Sequence, residues 1–166
     1  METDVGTDEP TGYELPTPDP ALKRLEFLVG TWKVAGTTEA GPAGPAGRVE
    51  STETYEWLDG GFFLVHHWNG TMEIGGVAMV DTGYEFFEYR PETQEYHARF
   101  FNNFRPYDDT GSVYKGTFTG DTFSITGPAR RTFDRNDDGT IAANSEMPVG
   151  DGTFVPFMST TVTRTT

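Results

Sequence analysis

Two residues are best suited to chemistry in this 166-residue chain: His66 and Glu53. An imidazole and a carboxylate held within hydrogen-bond reach form a general acid–base pair. His66 and His67 are adjacent, and neighbours on a strand point to opposite faces, so they cannot chelate one metal together. His66 keeps step with Phe62, Leu64 and Trp68, and His67 with Phe63, Val65 and Asn69. Both sets are apolar, so alternation leaves open which histidine enters a core; we take His66 as the inward one. Glu53 follows from the cleanest alternation in the chain, in which Val49, Ser51, Glu53, Tyr55 and Trp57 share one face. If Tyr55 and Trp57 face inward, so does Glu53. Burial raises the pKa of a carboxylate towards the range of a general base.

His66 and Glu53 are thus the catalytic candidates, and Tyr55, Trp57, His66, Trp68, Arg99, Asn102 and Tyr114 the ligand-binding ones. Arg99, Asn102 and Tyr114, like His97 and Asn103, lie on strands that also carry apolar residues, and parity does not settle which of them line an interior. No metal site is expected. Residues 134–139, DRNDDG, match the first half of a calcium loop, but the twelfth position is Ser145 and strands flank the segment, which reads as a hairpin turn. With no cysteine, neither disulfides nor thiolate metal sites exist.

The elements that position these residues start at 25–36, LEFLVGTWKVAG. Asp19 is a good N-cap, Pro20 suits a first turn, and Leu22, Leu25, Phe27 and Leu28 form an apolar face that ends at Gly30. From Trp32 onward the period changes to two. Strands are expected over 32–36, 49–58, 62–69, 76–81, 84–90, 95–104, 112–119, 122–127, 130–135, 140–147 and 153–164, with turns at 59–61, 69–70 and 91–93. About ten strands with short links predict an all-β fold, an antiparallel up-and-down β-barrel with a short N-terminal helix closing one end. Residues 1–18, acidic and rich in Pro, Thr and Gly, read as a flexible tail, and 19–166 as the barrel domain.

The formal net charge is −14, which opposes binding to nucleic acid or to an anionic membrane surface. No stretch approaches the roughly 18 apolar residues of a membrane-spanning helix, and the N-terminus lacks a basic region followed by an apolar run, so a cytoplasmic location is expected.

The segments LKRLEFLVGTWKV, TYEWLDGGFFLVHHW and DGTIAANSEMPVGDGTFVPFMSTTVTRT resemble bacterial lipocalin-like barrels of the calycin superfamily, and more distantly nitrobindins. In such barrels the Gly-x-Trp of the first strand sits at the floor and a basic residue of the last strand packs across the indole. The resemblance assigns these structural roles to Trp32 and Arg164, and it admits a homodimer. Nitrobindins hold haem through a late histidine, whereas this chain has none after His97, so no cofactor is expected.

Three functions follow, separable by the interior. An open apolar pocket indicates binding of a small, largely apolar molecule. An open pocket with a histidine and carboxylate about 3 Å apart indicates a cofactor-independent cyclase, isomerase or dehydratase. A filled core indicates a structural or interaction protein. Haem binding of the nitrobindin kind is a further alternative carried by the resemblance alone.

Overall fold

The computed structural model describes residues 12, 14–41, 44–104 and 113–165. Most of the expected tail lies outside these residues; 14–19 carry no helix or strand. Ten strands form one closed antiparallel barrel: β1 (Gly30–Thr38), β2 (Gly47–Trp57), β3 (Leu64–Ile74), β4 (Val77–Arg90), β5 (Glu95–Asn102), β6 (Val113–Thr119), β7 (Thr122–Thr126), β8 (Arg130–Arg135), β9 (Ile141–Val149) and β10 (Thr153–Arg164). Each strand pairs with its sequence neighbour and β1 closes on β10, the up-and-down order expected from the short links. Among the described residues every strand has a neighbour on both sides, so closure leaves no edge strand. Among the described residues, no helix is long and apolar enough to cross a membrane.

A nine-residue 3₁₀ helix, Pro20–Leu28, precedes the barrel, with the Asp19 carboxylate accepting from the Ala21 N–H at 2.8 Å. Leu22, Leu25 and Leu28 are its buried residues. Their spacing of three places them on one face of a helix with three residues per turn, which explains 3₁₀ geometry here. That face joins the core cluster that includes Tyr96, Phe123 and Phe133, and the Tyr96 hydroxyl donates to the Ala21 carbonyl of the helix at 2.6 Å. The Trp32 indole, 1 % exposed, donates to the Leu28 carbonyl at 2.7 Å. The Arg164 guanidinium lies 4.1 Å over that indole and donates to the Val29 carbonyl at 2.7 Å, tying β10 to the floor.

Two boundaries differ from those expected. Asn69-Gly70 is not a turn: β3 runs through it to Ile74, because the bare Gly70 backbone packs where a Cβ would meet the Glu50 carbonyl oxygen. The hairpin turn is Gly75-Gly76, at φ of 60° and 81°, as a tight two-residue connection requires. Segments 76–81 and 84–90 are one strand, β4, continuous through Gly83. A Cβ at Gly83 would lie 2.4 Å from the Trp68 ring, so the glycine makes room for that indole.

Candidate functional site

Above the floor the barrel encloses a cavity of about 360 Å³. Strand alternation sets its wall. Ser51, Glu53 and Tyr55 come from β2; His66, Trp68 and Met72 from β3; Met79 and Asp81 from β4; Phe100 and Asn102 from β5. Across the barrel stand Tyr114, Arg131, Phe133 and residues of β9 and β10, where a bulge between Pro156 and Met158 lets both Phe157 and Met158 reach the lining. Four of the chain's five methionines, Met72, Met79, Met147 and Met158, border the cavity. Their flexible thioethers adapt to varied shapes.

One side of this apolar wall carries a chain of buried charges. The register pairs Tyr55 with His66 and His66 with Glu85 across three neighbouring strands. His66 Nε2 lies 3.0 Å from Glu53 Oε2, and Nδ1 lies 3.4 Å from Glu85 Oε2. Glu85 is fully buried and pairs with both terminal nitrogens of Arg131, at 3.1 Å through Nη1 and more tightly through Nη2. Glu53 also accepts from the Ser51 hydroxyl at 2.9 Å and the Tyr55 hydroxyl at 3.4 Å. The Tyr55 ring stacks on His66 at 4.0 Å, and Tyr114 covers the Arg131 guanidinium at 4.4 Å. Trp68 stacks on Phe100 and donates its indole N–H to Asp81 at 2.8 Å.

The protonation states follow from these contacts. Burial opposes charge on Glu53, but the His66 charge and hydrogen bond, with those of Ser51 and Tyr55, outweigh it and hold the carboxyl below its ordinary 4.5. Burial likewise opposes charge on His66, yet Glu53 and then Glu85 raise its pKa above the ordinary 6.5. For Glu85, burial is overcome chiefly by Arg131, and its pKa falls; that of Arg131 rises in return through Glu85. The four groups therefore favour two carboxylates, an imidazolium and a guanidinium. Burial raises the pKa of Asp81, only partly offset by the Trp68 hydrogen bond.

Of the residues singled out from sequence, Glu53, Tyr55, His66, Trp68, Asn102 and Tyr114 line this one cavity. His67 faces outward and stacks on Tyr84. Trp57 does not line it. The residue sits at the last position of β2, beside the floor, where its indole N–H donates to Glu26 at 2.8 Å. Arg99 is also outside: Tyr96, Ala98 and Phe100 take the inward positions of β5 and leave Arg99 exposed. The arginine in the wall is instead Arg131, in step with buried Phe133 on β8. Sequence reasoning missed Arg131, Glu85 and Asp81. Taking Gly75-Gly76 as the hairpin turn would have set Glu85 opposite His66.

The residues present do not fit haem. Both ring nitrogens of His66 are engaged by carboxylates, His67 faces out, and His97 lies beside Glu95 at 3.5 Å on the outer face of β5. No imidazole nitrogen is left facing the cavity for iron. Among the described residues no group of three or more His, Cys, Asp or Glu side chains is arranged to hold a metal ion. In the 134–139 segment, Asp138 accepts from both the backbone N–H and the hydroxyl of Thr140, an ordinary turn.

Fold and cavity together define a small closed antiparallel barrel of calycin-like form, with an apolar interior edged by buried charge. The chain belongs to the family described as "Protein of unknown function (DUF1579)", whose model matches residues 17–164. Among solved structures it resembles the crystal structure of Rv2717c from M. tuberculosis, with 17% identity and a TM-score of 0.61 over 90% of this chain and 99% of that one. At that identity the likeness is one of fold. Comparison with curated proteins gives no match.

Proposed function

We propose that the barrel binds a small, largely apolar molecule, oriented by the polar edge at Glu53, His66 and Asp81. The observation that carries this reading is the cavity itself: about 360 Å³, walled by aromatic and aliphatic side chains with a few convergent polar groups, the usual make-up of a small-molecule site. The lipocalin-like character of the Gly30-Thr31-Trp32 floor and Arg164 accords with it. The test is titration with N-phenyl-1-naphthylamine, a neutral apolar dye that fluoresces in dry surroundings. A saturable one-to-one signal is expected in the wild type. In Ala143→Trp, which adds an indole to the cavity wall, that signal should be lost while the circular dichroism spectrum stays unchanged. No saturable signal, or one untouched by Ala143→Trp, contradicts the reading.

The 3.0 Å contact between Glu53 and His66 beside the cavity favours a second reading, a cofactor-independent enzyme that moves a proton on the bound molecule. Here Glu53, as the carboxylate bordering the cavity, would exchange the proton, while Glu85 and Arg131 hold His66 in place. Turnover lost in Glu53→Gln with ligand binding retained would support it; equal turnover in wild type and Glu53→Gln would remove it.

A further inference from the structure

The charges around the cavity do not balance. Among the described residues, Glu53, His66, Asp81 and Arg131 are the Asp, Glu, His, Lys and Arg side chains of its lining, and fully buried Glu85 pairs with His66 and Arg131 behind it. Three carboxylates thus stand against one permanent cation and one imidazole, a net charge of −1 with His66 protonated and −2 with it neutral. Arg131 is already committed. Both terminal nitrogens donate to the two Glu85 oxygens and Tyr114 covers its plane, so its charge is spent on Glu85, while its buried Nε has no hydrogen-bond partner. No lysine lines the cavity. Glu53 and Asp81 therefore dominate the polar edge that a ligand meets. Among the described residues, the Asp81 carboxylate accepts only the neutral indole N–H of Trp68, and no cation is paired with it.

We infer that the ligand is an apolar amine, its hydrocarbon body in the methionine- and aromatic-lined interior and its protonated nitrogen between Glu53 and Asp81. This inference rests on the cavity-binding reading and adds the sign of the ligand's charge. An ammonium there supplies the positive charge that Asp81 lacks and gives both carboxylates hydrogen-bond donors in a site of low dielectric constant. A fatty carboxylate would set a fourth acid against the same edge, and a neutral alcohol would gain hydrogen bonds without the charge.

Decylamine, 1-decanol and sodium decanoate, matched in chain length, are tested by displacement of N-phenyl-1-naphthylamine at pH 7. Decylamine is expected to displace the dye at a concentration about tenfold below that of decanol, with decanoate weakest. Asp81→Asn and Glu53→Gln should each shrink the advantage of the amine over decanol several-fold. Decanol or decanoate displacing as well as decylamine overturns the inference while leaving cavity binding intact, as does an amine advantage that survives in both variants. Dye that never binds overturns the cavity reading, and this inference with it.

Discussion

His66 is held between two carboxylates, and the partner behind it is the one that stability depends on. Glu85 is fully buried and neutralises Arg131, so Glu85→Gln leaves a guanidinium without its counter-charge in the barrel wall. A loss of about 3–5 kcal/mol is expected in chemical denaturation, against under about 1 kcal/mol for Glu50→Gln, whose partner Arg48 is an exposed surface residue. The same network sets a pH profile. Glu53 and Glu85 have pKa values below the ordinary 4.5, so their stabilisation is present above that value and is lost as pH falls through the lower folded values. His66 is raised above 6.5, so its contribution is complete below 6.5 and disappears as pH rises through the higher folded value. The melting temperature should therefore peak between about pH 5 and 6.5, and His66→Gln should flatten the alkaline limb. Glu53 was legible in the sequence because β2 alternates cleanly. Glu85 was not, because β4 carries Tyr84 and Phe86 on its outer face as well as Phe87 inside, and parity cannot choose between two apolar faces; nor was Arg131, which follows Arg130 on β8, so that each face of that strand offers an arginine.

At the scale of elements, the floor helix and the β3–β4 hairpin do different work. Leu25 has no exposure and sits at the centre of the plug; Leu25→Ala should cost about 2–5 kcal/mol, read from the shift of the denaturation midpoint. The hairpin fixes chemistry as well as stability. Through its two-glycine turn it sets His66 opposite Glu85, and through Gly83 it accommodates the Trp68 indole beside Asp81. Gly83→Ala should displace that indole, with a loss of about 1–3 kcal/mol and a shift in tryptophan emission. The helix was readable from its cap, proline and leucines. The long β4 was not, since a glycine inside a strand looks like a turn until the side chain that fills its space is known.

For the whole molecule, closure was foreseeable from ten short strands and their short links, but the volume inside was not. Whether a barrel is filled depends on how side chains from opposite walls meet, and no single segment records that. Here large aromatics crowd the floor, while the methionines gather around the cavity above it. The methyl groups of Met72, Met79, Met147 and Met158 therefore report directly on the interior. The decisive measurement is a ¹H–¹³C methyl spectrum of methionine-labelled protein, titrated with N-phenyl-1-naphthylamine. Binding inside the barrel shifts these four resonances together, saturating at one equivalent. If the four stay fixed at saturating dye while signals from outward-facing residues such as Val80 and Val155 move in a parallel valine-labelled sample, the molecule binds on the surface and the barrel is not its site.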